Sequence, residues 1–214
     1  MSEKLAVCTW NYKGGTGKTT IALILAQIAA QKGLKVLAMD LDQQHNLTDD
    51  LKLVGDAFRT IQVVNRIPDN AIELDVDMYV IDVHPDMNSV IKEALNFTDI
   101  VLVPVWADFH NVANLGAVWK YIQDAGLGFQ QAALVKNFAE NTQTAREIES
   151  VMNEQAYPVA GRLPQNRNIP RNIALGRPWL TNMDERQQAP FIFLYNKVWA
   201  AYREMLRGNF SNPW

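Results

Sequence analysis

Five near-continuous apolar runs of strand length recur along this 214-residue chain, and helix-length segments separate them. A strand that alternates apolar and polar residues has one face in water, whereas a continuous apolar strand is buried on both faces of a parallel sheet. The repeated strand–helix order therefore predicts an α/β fold with a mostly parallel central sheet and helices on both faces. The predicted strands are 5–10, 35–41, 78–83, 99–106 and 132–138, and the predicted helices are 18–32, 88–97, 111–124 and 142–155.

The remaining segments complete this pattern. Residues 157–164 predict one more strand, and residues 190–207 predict a terminal helix. No internal repeat, low-complexity tract or linker interrupts the chain, so we expect a single domain over residues 1–214. No run of about 18 uncharged apolar residues predicts a membrane span. Cys8 is the only cysteine, which excludes an internal disulfide and favours a reducing, cytoplasmic location.

The segment YKGGTGKTT at residues 12–20 joins the first predicted strand to the first predicted helix. Glycines at such a turn let backbone N–H groups surround phosphate oxygens, and the helix N-terminus adds its positive end. Lys18 is placed to reach the β- and γ-phosphates, and the Thr19 hydroxyl to bind Mg²⁺. The pattern G-x-x-x-x-G-K-[ST] has a glycine where this chain has Tyr12, and the chain carries a second lysine, Lys13. These residues predict a phosphate-binding loop and a P-loop NTPase fold.

Other readings of the glycines explain less. A mere tight turn does not account for G-K-T-T in that register. A dinucleotide-binding loop is excluded because Thr20 stands where the third glycine of that motif belongs.

Carboxylates end two of the predicted strands, at the sheet edge where ligands of such folds bind. Asp82 follows the apolar run at 78–83 and has the position of a residue that holds Mg²⁺, directly or through water. Asp42 is predicted to orient the attacking water. For Asp40 two roles stay open: a functional carboxylate, or a strand-end acid satisfied by backbone donors. The histidines lack metal-ligand spacing and are interpreted as loop residues.

Taken together, KGGTGKTT, DLDQQHNLT and VIDVHP resemble the deviant Walker motifs of the ParA/MinD ATPases. The similarity extends to DIVLVPVWADFHNVANLGAV and LPQNRNIPRNIALGRPW and so covers nearly the whole chain. The short length is similar to that of small plasmid-type ParA partition proteins. The chain departs from the family pattern in having Gln43 in place of a proline, and His84 within the motif D-x-P-P.

The resemblance implies an ATP- and Mg²⁺-dependent sandwich homodimer in which Lys13 reaches the phosphates bound to the other subunit. It implies weak ATPase activity, stimulated by a ParB-like or adaptor partner, and non-specific DNA binding at the nucleoid. Asn137 and the turn at Pro164 are implied to frame the adenine. The resemblance also implies three sets of site residues. The expected nucleotide ligands are Lys13, Gly14, Gly15, Thr16, Gly17, Lys18, Thr19, Thr20, Asn137 and Pro164. The expected catalytic residues are Lys13, Lys18 and Asp42, and the expected metal-site residues are Thr19, Asp42 and Asp82.

The net charge of −3 hides an uneven distribution. From residue 158 onward, eight basic residues face three acidic ones, which is typical of a surface that binds nucleic acid, although a solvated basic face gives the same count. The candidate DNA-binding residues are Arg162, Arg167, Arg171, Arg177, Lys197, Arg203 and Arg207.

Residues 190–210 are amphipathic, so a MinD-like, membrane-associated regulator of cell division or protein positioning remains the alternative. A membrane anchor normally has a lysine-rich polar face and a flexible tether. Because neither is evident, we expect a packed last helix and no membrane partner. Lys13 disfavours a dethiobiotin-synthetase-like ligase, and an iron–sulfur reductase would need bridging cysteines.

Overall fold

A computed structural model describes residues 3–86, 89–106, 108–139, 142–209 and 211–214. The strands are Leu5–Thr9 (β1), Val36–Leu41 (β2), Ile61–Val64 (β3), Met78–Val83 (β4), Ile100–Val105 (β5), Ala132–Ala139 (β6) and Val159–Pro164 (β7). The helices are Lys18–Gln31 (α1), Asn46–Val54 (α2), Ser89–Phe97 (α3), Phe109–Ala113 (α4), Leu115–Asp124 (α5), Gln143–Glu154 (α6), Asn168–Ala174 (α7) and Glu185–Leu206 (α8). Short 3₁₀ turns span Gly55–Phe58 and Ala71–Glu73.

All seven strands form one parallel sheet in the order β3-β2-β4-β1-β5-β6-β7. The predicted fold class is therefore confirmed. β1 lies between β4 and β5, so the chain changes direction across the sheet beside β1. In open α/β sheets such a switch point forms a crevice at the carboxyl ends of the strands, and the glycine-rich loop leaves β1 at that end.

The sheet is buried on both faces, as its continuous apolar strands predicted. Along β1, Leu5 and Val7 join one hydrophobic core, which also contains α1 and α8. Ala6 and Cys8 join a second core, which also contains α3 and α5. Each strand residue therefore packs against helices on one side or the other, and each buried aliphatic side chain contributes about 1.5–3 kcal/mol relative to exposure.

Three elements were absent from the sequence prediction. α2 was missed because its sequence is mostly polar and only its inward face is buried, at Leu47, Leu51 and Val54. β3 is an edge strand of four partly exposed residues, too short to stand out as an apolar run. α7 lies within the segment interpreted as a late loop.

The terminal helix is packed, as expected, but it begins five residues earlier than predicted. The Asp184 side chain accepts a hydrogen bond from the Gln187 backbone N–H (2.9 Å), and the Gln187 side chain accepts one from the Asp184 N–H (3.1 Å). This capping box is a sequence signal that marks the true start. The apolar face of α8 enters the first core, with Trp199 and Tyr202 among its buried residues. No helix in the described ranges is long and apolar enough to cross a membrane.

Candidate nucleotide-binding site

The loop between β1 and α1 depends on two glycines for its backbone conformation. Gly15 (φ 74°) and Gly17 (φ 92°) lie in the left-handed region, which glycine enters without steric cost. Gly14 has no such φ, and a Cβ placed there would meet nothing within 4 Å. The fold alone therefore does not require glycine at 14.

Lys18 is directed into this loop at the start of α1. Its Nζ donates to the Lys13 carbonyl oxygen (3.1 Å), and the residue is only 7% exposed. Burial lowers the pKa of Lys18, and the nearby charges of Asp82 and Asp42 oppose that shift. A buried ammonium group flanked by carboxylates in a loop of backbone donors is suited to bind an anionic phosphate.

Thr16 connects the loop to the next part of the sheet. The Asn137 amide nitrogen donates to the Thr16 carbonyl oxygen (2.8 Å), although the two residues are 121 positions apart. The amide is therefore oriented with its nitrogen toward the phosphate loop. This contact brings the end of β6 to the site, where the resemblance places Asn137.

Asp82 lies between two polar neighbours at the strand ends. In register, it is paired with Thr9 on β1 and with Asp40 on β2. Its Oδ2 is buried and, among the described residues, has no hydrogen-bond partner, an arrangement that costs free energy unless a cation or water completes it. Burial raises the pKa of Asp82 to about 7; Asp40 and Asp42 add to the shift, and Thr19 and Lys18 oppose it.

The unpaired oxygen of Asp82 and the Thr19 hydroxyl beside it fit a magnesium site. Both are hard oxygen ligands of the kind that Mg²⁺ takes together with water and phosphate oxygens. In the described part of the chain no group of three or more His, Cys, Asp or Glu side chains could hold a metal ion.

Asp40 and Asp42 differ in what they contact. Asp40 is fully buried, and both of its oxygens accept hydrogen bonds, from the Asp42 N–H (3.3 Å) and from the N–H and hydroxyl of Thr48 (both 2.8 Å). Asp42 Oδ1 accepts from the Gln44 N–H (2.9 Å). Of the two roles left open for Asp40, the satisfied strand-end acid is the one that this geometry matches.

Lys13 is held at the rim of the site. Its backbone N–H donates to Asn11 Oδ1 (3.1 Å), and the Asn11 amide donates to the Pro104 carbonyl (2.8 Å). Its Nζ lies 3.2 and 3.4 Å from the two oxygens of Asp108. Sequence reasoning missed this ion pair because its members are 95 residues apart.

A small apolar cleft of about 90 Å³ lies next to the phosphate loop. Its apolar lining suits a nucleotide base, and we call it the base pocket. Thr20, Asn137 and Pro164 all line it, so three of the predicted nucleotide ligands do meet. Ile169 and Ile173 of α7 and Phe191 of α8 supply apolar wall. Ile169 and Ile173 were not foreseen because α7 itself was not predicted, and Phe191 was expected only as part of the packed terminal helix.

The candidate DNA-binding residues do not form one surface. Arg203 pairs with Glu3 (3.0 Å) and Lys197 donates to the Val159 carbonyl (3.1 Å), at the amino ends of β1 and β7, opposite the phosphate loop. Arg207 pairs with Glu204 at the end of α8. Arg162 lies on β7 and contacts Glu149 (3.3 Å).

The other three arginines lie on the phosphate-loop side of the sheet. Arg167 precedes α7, Arg171 lies within it and Arg177 follows it, and α7 itself follows the carboxyl end of β7. Within the part of the chain that the structure describes, these three form no ion pair. Gly176 (φ 62°) lets the segment after α7 approach α2, since a Cβ there would lie 2.5 Å from the Leu53 carbonyl oxygen.

Known proteins share both the sequence pattern and the fold. The chain is 25% identical to the chromosome-partitioning ATPase Soj of Thermus thermophilus, over 84% of this chain and 86% of Soj. Cyanothece McdA, solved with ATP as an aspartate-to-alanine variant, superposes with a TM-score of 0.77 at 16% identity, covering 92% of this chain and 96% of McdA. MinD of Pyrococcus horikoshii, solved with Mg-ADP, superposes with a TM-score of 0.71 at 20% identity, covering 92% and 96%.

The family model agrees with the site geometry and covers most of the chain. The model of the family described as "CobQ/CobB/MinD/ParA nucleotide binding domain" matches residues 7–179. This range includes the phosphate loop, the three strand-end aspartates and α7. The chain belongs to the CobQ/CobB/MinD/ParA nucleotide-binding family, and within it is homologous to Soj and the ParA partition proteins.

Proposed function

We propose that this protein is a ParA-type ATPase that partitions DNA or positions another cargo. It binds Mg-ATP, forms a sandwich homodimer around the nucleotide, and in that state binds DNA without sequence preference at the nucleoid. A ParB-like or adaptor protein stimulates its weak hydrolysis and so releases the DNA.

The observation that carries this proposal is the placement of two lysines on one loop. Lys18 is buried and directed at the loop's own backbone, while Lys13 is half-exposed at the rim and paired with Asp108. One phosphate site in one subunit needs only the first. The second is explained by a phosphate group presented from outside, as in a dimer with nucleotide at the interface.

Four side chains then have distinct chemical tasks. Lys18 binds the phosphates of the subunit's own nucleotide, while Thr19 and Asp82 hold Mg²⁺, directly or through water. Bound there, Mg²⁺ would supply positive charge opposite the phosphate oxygens. Asp42 contributes to this polar cluster and orients the attacking water.

The base pocket supports adenine as the bound base. Because the Asn137 nitrogen donates to Thr16, its side-chain oxygen is the atom left for the base. That oxygen accepts from the amino group of adenine, whereas guanine presents a carbonyl oxygen at the same place. Pro164 and the residues from α7 and α8 supply apolar contact with the ring.

Arg167, Arg171 and Arg177 are the strongest candidates for phosphate contacts with DNA. They are close in sequence, lie on the nucleotide side, and are not neutralised by ion pairs among the described residues. Lys197, Arg203 and Arg207 already have intramolecular partners on the far side. We therefore assign DNA binding first to the arginines around α7.

The packing of α8 argues against a MinD-like membrane role for this helix. Its apolar residues contact the sheet and α1 inside the first core. A surface-binding helix would have to withdraw that face, at a cost of about 1.5–3 kcal/mol for each large side chain.

DNA retention in the presence and absence of ATP tests the proposal. We expect binding to random-sequence DNA only with Mg-ATP, and a steep loss of affinity with salt because phosphate neutralisation drives it. Vesicles of anionic lipid, sedimented in parallel with ATP, should leave the protein in solution. Equal DNA binding with and without ATP, or ATP-dependent sedimentation with vesicles, would contradict the proposal.

The variant Asp42→Ala separates binding from hydrolysis. We expect ATP-dependent dimerisation and DNA binding to persist while hydrolysis falls at least about a hundredfold, because the water loses its positioning group. Phosphate release and DNA dissociation are the measurements. The exposed neighbour Gln43→Ala is the control and should hydrolyse ATP at close to the wild-type rate.

A further inference from the structure

Helix α2 begins without a capping side chain of its own. Its N-cap residue is His45, which has left-handed backbone angles (φ 51°, ψ 31°) and makes no side-chain cap hydrogen bond. The first four N–H groups of a helix have no acceptor within the helix. The N-terminal turn of α2 therefore needs an acceptor from elsewhere.

Asp40, at the end of β2, provides that acceptor. Its Oδ2 accepts from the Thr48 N–H, the third helical position of α2, and from the Thr48 hydroxyl, both at 2.8 Å. An ordinary capping residue immediately precedes its helix and bonds to this same position. Here the cap comes from a strand end eight residues earlier, and its carboxylate also lies at the positive end of the helix.

The segment between Asp40 and Thr48 is closed around Asp42. The second oxygen of Asp40 accepts from the Asp42 N–H (3.3 Å). The Asp42 carbonyl accepts from the His45 N–H (3.0 Å), and its carboxylate from the Gln44 N–H (2.9 Å). Asp42 thus has its backbone held on both sides, with the buried carboxylate of Asp40 as the common anchor.

We infer that Asp40 is a positioning residue that fixes the Asp42 loop through Thr48 and does not itself ligate metal. This inference rests on the proposed function, because it assigns Asp42 to the attacking water. Both oxygens of Asp40 already accept hydrogen bonds from N–H or O–H donors, so the carboxylate is held by the chain itself. Asp82, its register neighbour, has the unpaired oxygen instead.

Three variants test whether Asp40 holds the loop through Thr48: Asp40→Asn, Thr48→Val and Thr48→Ser. In Asp40→Asn an NH₂ group replaces one oxygen and faces an N–H donor. Thr48→Val replaces the hydroxyl by a methyl group, whereas Thr48→Ser keeps the hydroxyl. Asp49→Asn, an exposed change of equal charge in the same turn of α2, is the matched control.

Two readouts are compared: amide hydrogen exchange of residues 41–49, and ATP turnover with separately measured ATP affinity. In Asp40→Asn we expect exchange at Thr48 to accelerate about tenfold or more. We expect kcat to fall about ten- to a hundredfold, since a small displacement of a reacting group has that effect, while ATP affinity changes less than about twofold. Thr48→Val should show the same pattern more weakly, with the same melting temperature as wild type, and Thr48→Ser should recover.

The inference is overturned if Thr48 exchange is unchanged in Asp40→Asn, or if exchange accelerates while kcat is retained. A parallel loss of ATP affinity and Mg²⁺ dependence would instead mark Asp40 as a metal-site residue and would also overturn it. If Asp40→Asn does not fold, the contrast between Thr48→Val and Thr48→Ser decides. A wild-type chain that binds ATP but never hydrolyses it would contradict the proposed function, and the exchange data would still show whether Asp40 holds the loop.

Discussion

Lys13 and Lys18 are five residues apart on one loop, yet their surroundings are opposite. Lys18 is almost fully buried, its nearest charges are Asp82 and Asp42, and burial lowers its pKa. The Lys13 side chain is 37% exposed and its partner, Asp108, follows β5. A buried cation retains its charge only with anions beside it, so Lys18 is matched to a ligand inside the loop. Lys13 has a half-exposed partner, and under the proposed function it exchanges that partner for a phosphate that arrives from outside.

Removal of each lysine should therefore fail in a different way, and Lys18→Ala has the largest expected effect. It removes the charged donor inside the phosphate loop, so ATP affinity of the monomer should fall about a hundredfold or more. Fluorescent-nucleotide titration at a protein concentration below dimerisation measures it. Lys13→Ala under the same conditions is the matched control and should bind within about threefold of wild type. An equal loss of ATP affinity in the two variants would contradict the different roles given to Lys13 and Lys18.

The buried surroundings of Lys18 can be tested at Asp82 by measuring how the free energy of unfolding depends on pH. Because burial raises the pKa of Asp82 from its ordinary 3.8 to about 7, folding favours the protonated carboxyl. The free energy of unfolding of the ligand-free protein should therefore decrease as pH rises from about 4 to about 7.

Asp82→Asn removes that ionisation and should flatten this decrease. At pH 8 without nucleotide or Mg²⁺ we expect the variant to be more stable than wild type by up to about 4 kcal/mol, and at pH 4 to be nearly equal. Urea denaturation at the two pH values measures the difference. A variant less stable than wild type at pH 8 would mean that Asp82 is stabilised as an anion by Lys18.

The exposed surroundings of Lys13 are tested by Asp108→Asn, for which we expect a smaller effect. The variant frees Lys13 from its partner within the subunit, so less free energy is needed to transfer it to an external phosphate. An ion pair this exposed contributes at most about 1 kcal/mol, so the ATP concentration for half-maximal dimerisation should fall about two- to fivefold. Light scattering during ATP titration measures it, with Asp124→Asn, an exposed acid at the end of α5, as control. Unchanged or weakened dimerisation would show that Asp108 does not compete for Lys13.

The two lysines also illustrate which parts of the molecule were predictable from sequence. Local signals sufficed for the five apolar strands and for the loop at residues 13–19, because burial on both faces and glycine backbone angles leave direct marks in the residue pattern. The strand-end position of Asp82 followed from the apolar run at residues 78–83. In contrast, the pair Lys13–Asp108 and the bond from Asn137 to Thr16 join distant residues, and no spacing rule predicts such contacts.

Sequence-based prediction also failed for helices that are buried on one side and exposed on the other. α2 and α7 pack on one side only, so their sequences read as polar loops, and the base-pocket residues Ile169 and Ile173 were missed with them. The cap on α2 shows a related difficulty. His45 carries no capping group, so the usual start signal is absent, and the acceptor comes from Asp40 on a strand.

ATP-dependent dimerisation of Lys13→Ala tests the central claim most directly. Sedimentation velocity of wild type, Lys13→Ala and the exposed control Lys120→Ala, each with saturating Mg-ATP and with Asp42→Ala added to block turnover, gives the mass of each species. We predict a dimer for the wild-type and Lys120→Ala backgrounds, and a nucleotide-bound monomer for Lys13→Ala. A Lys13→Ala protein that dimerises with ATP as fully as the control would contradict the assignment of Lys13 to the neighbouring subunit's nucleotide.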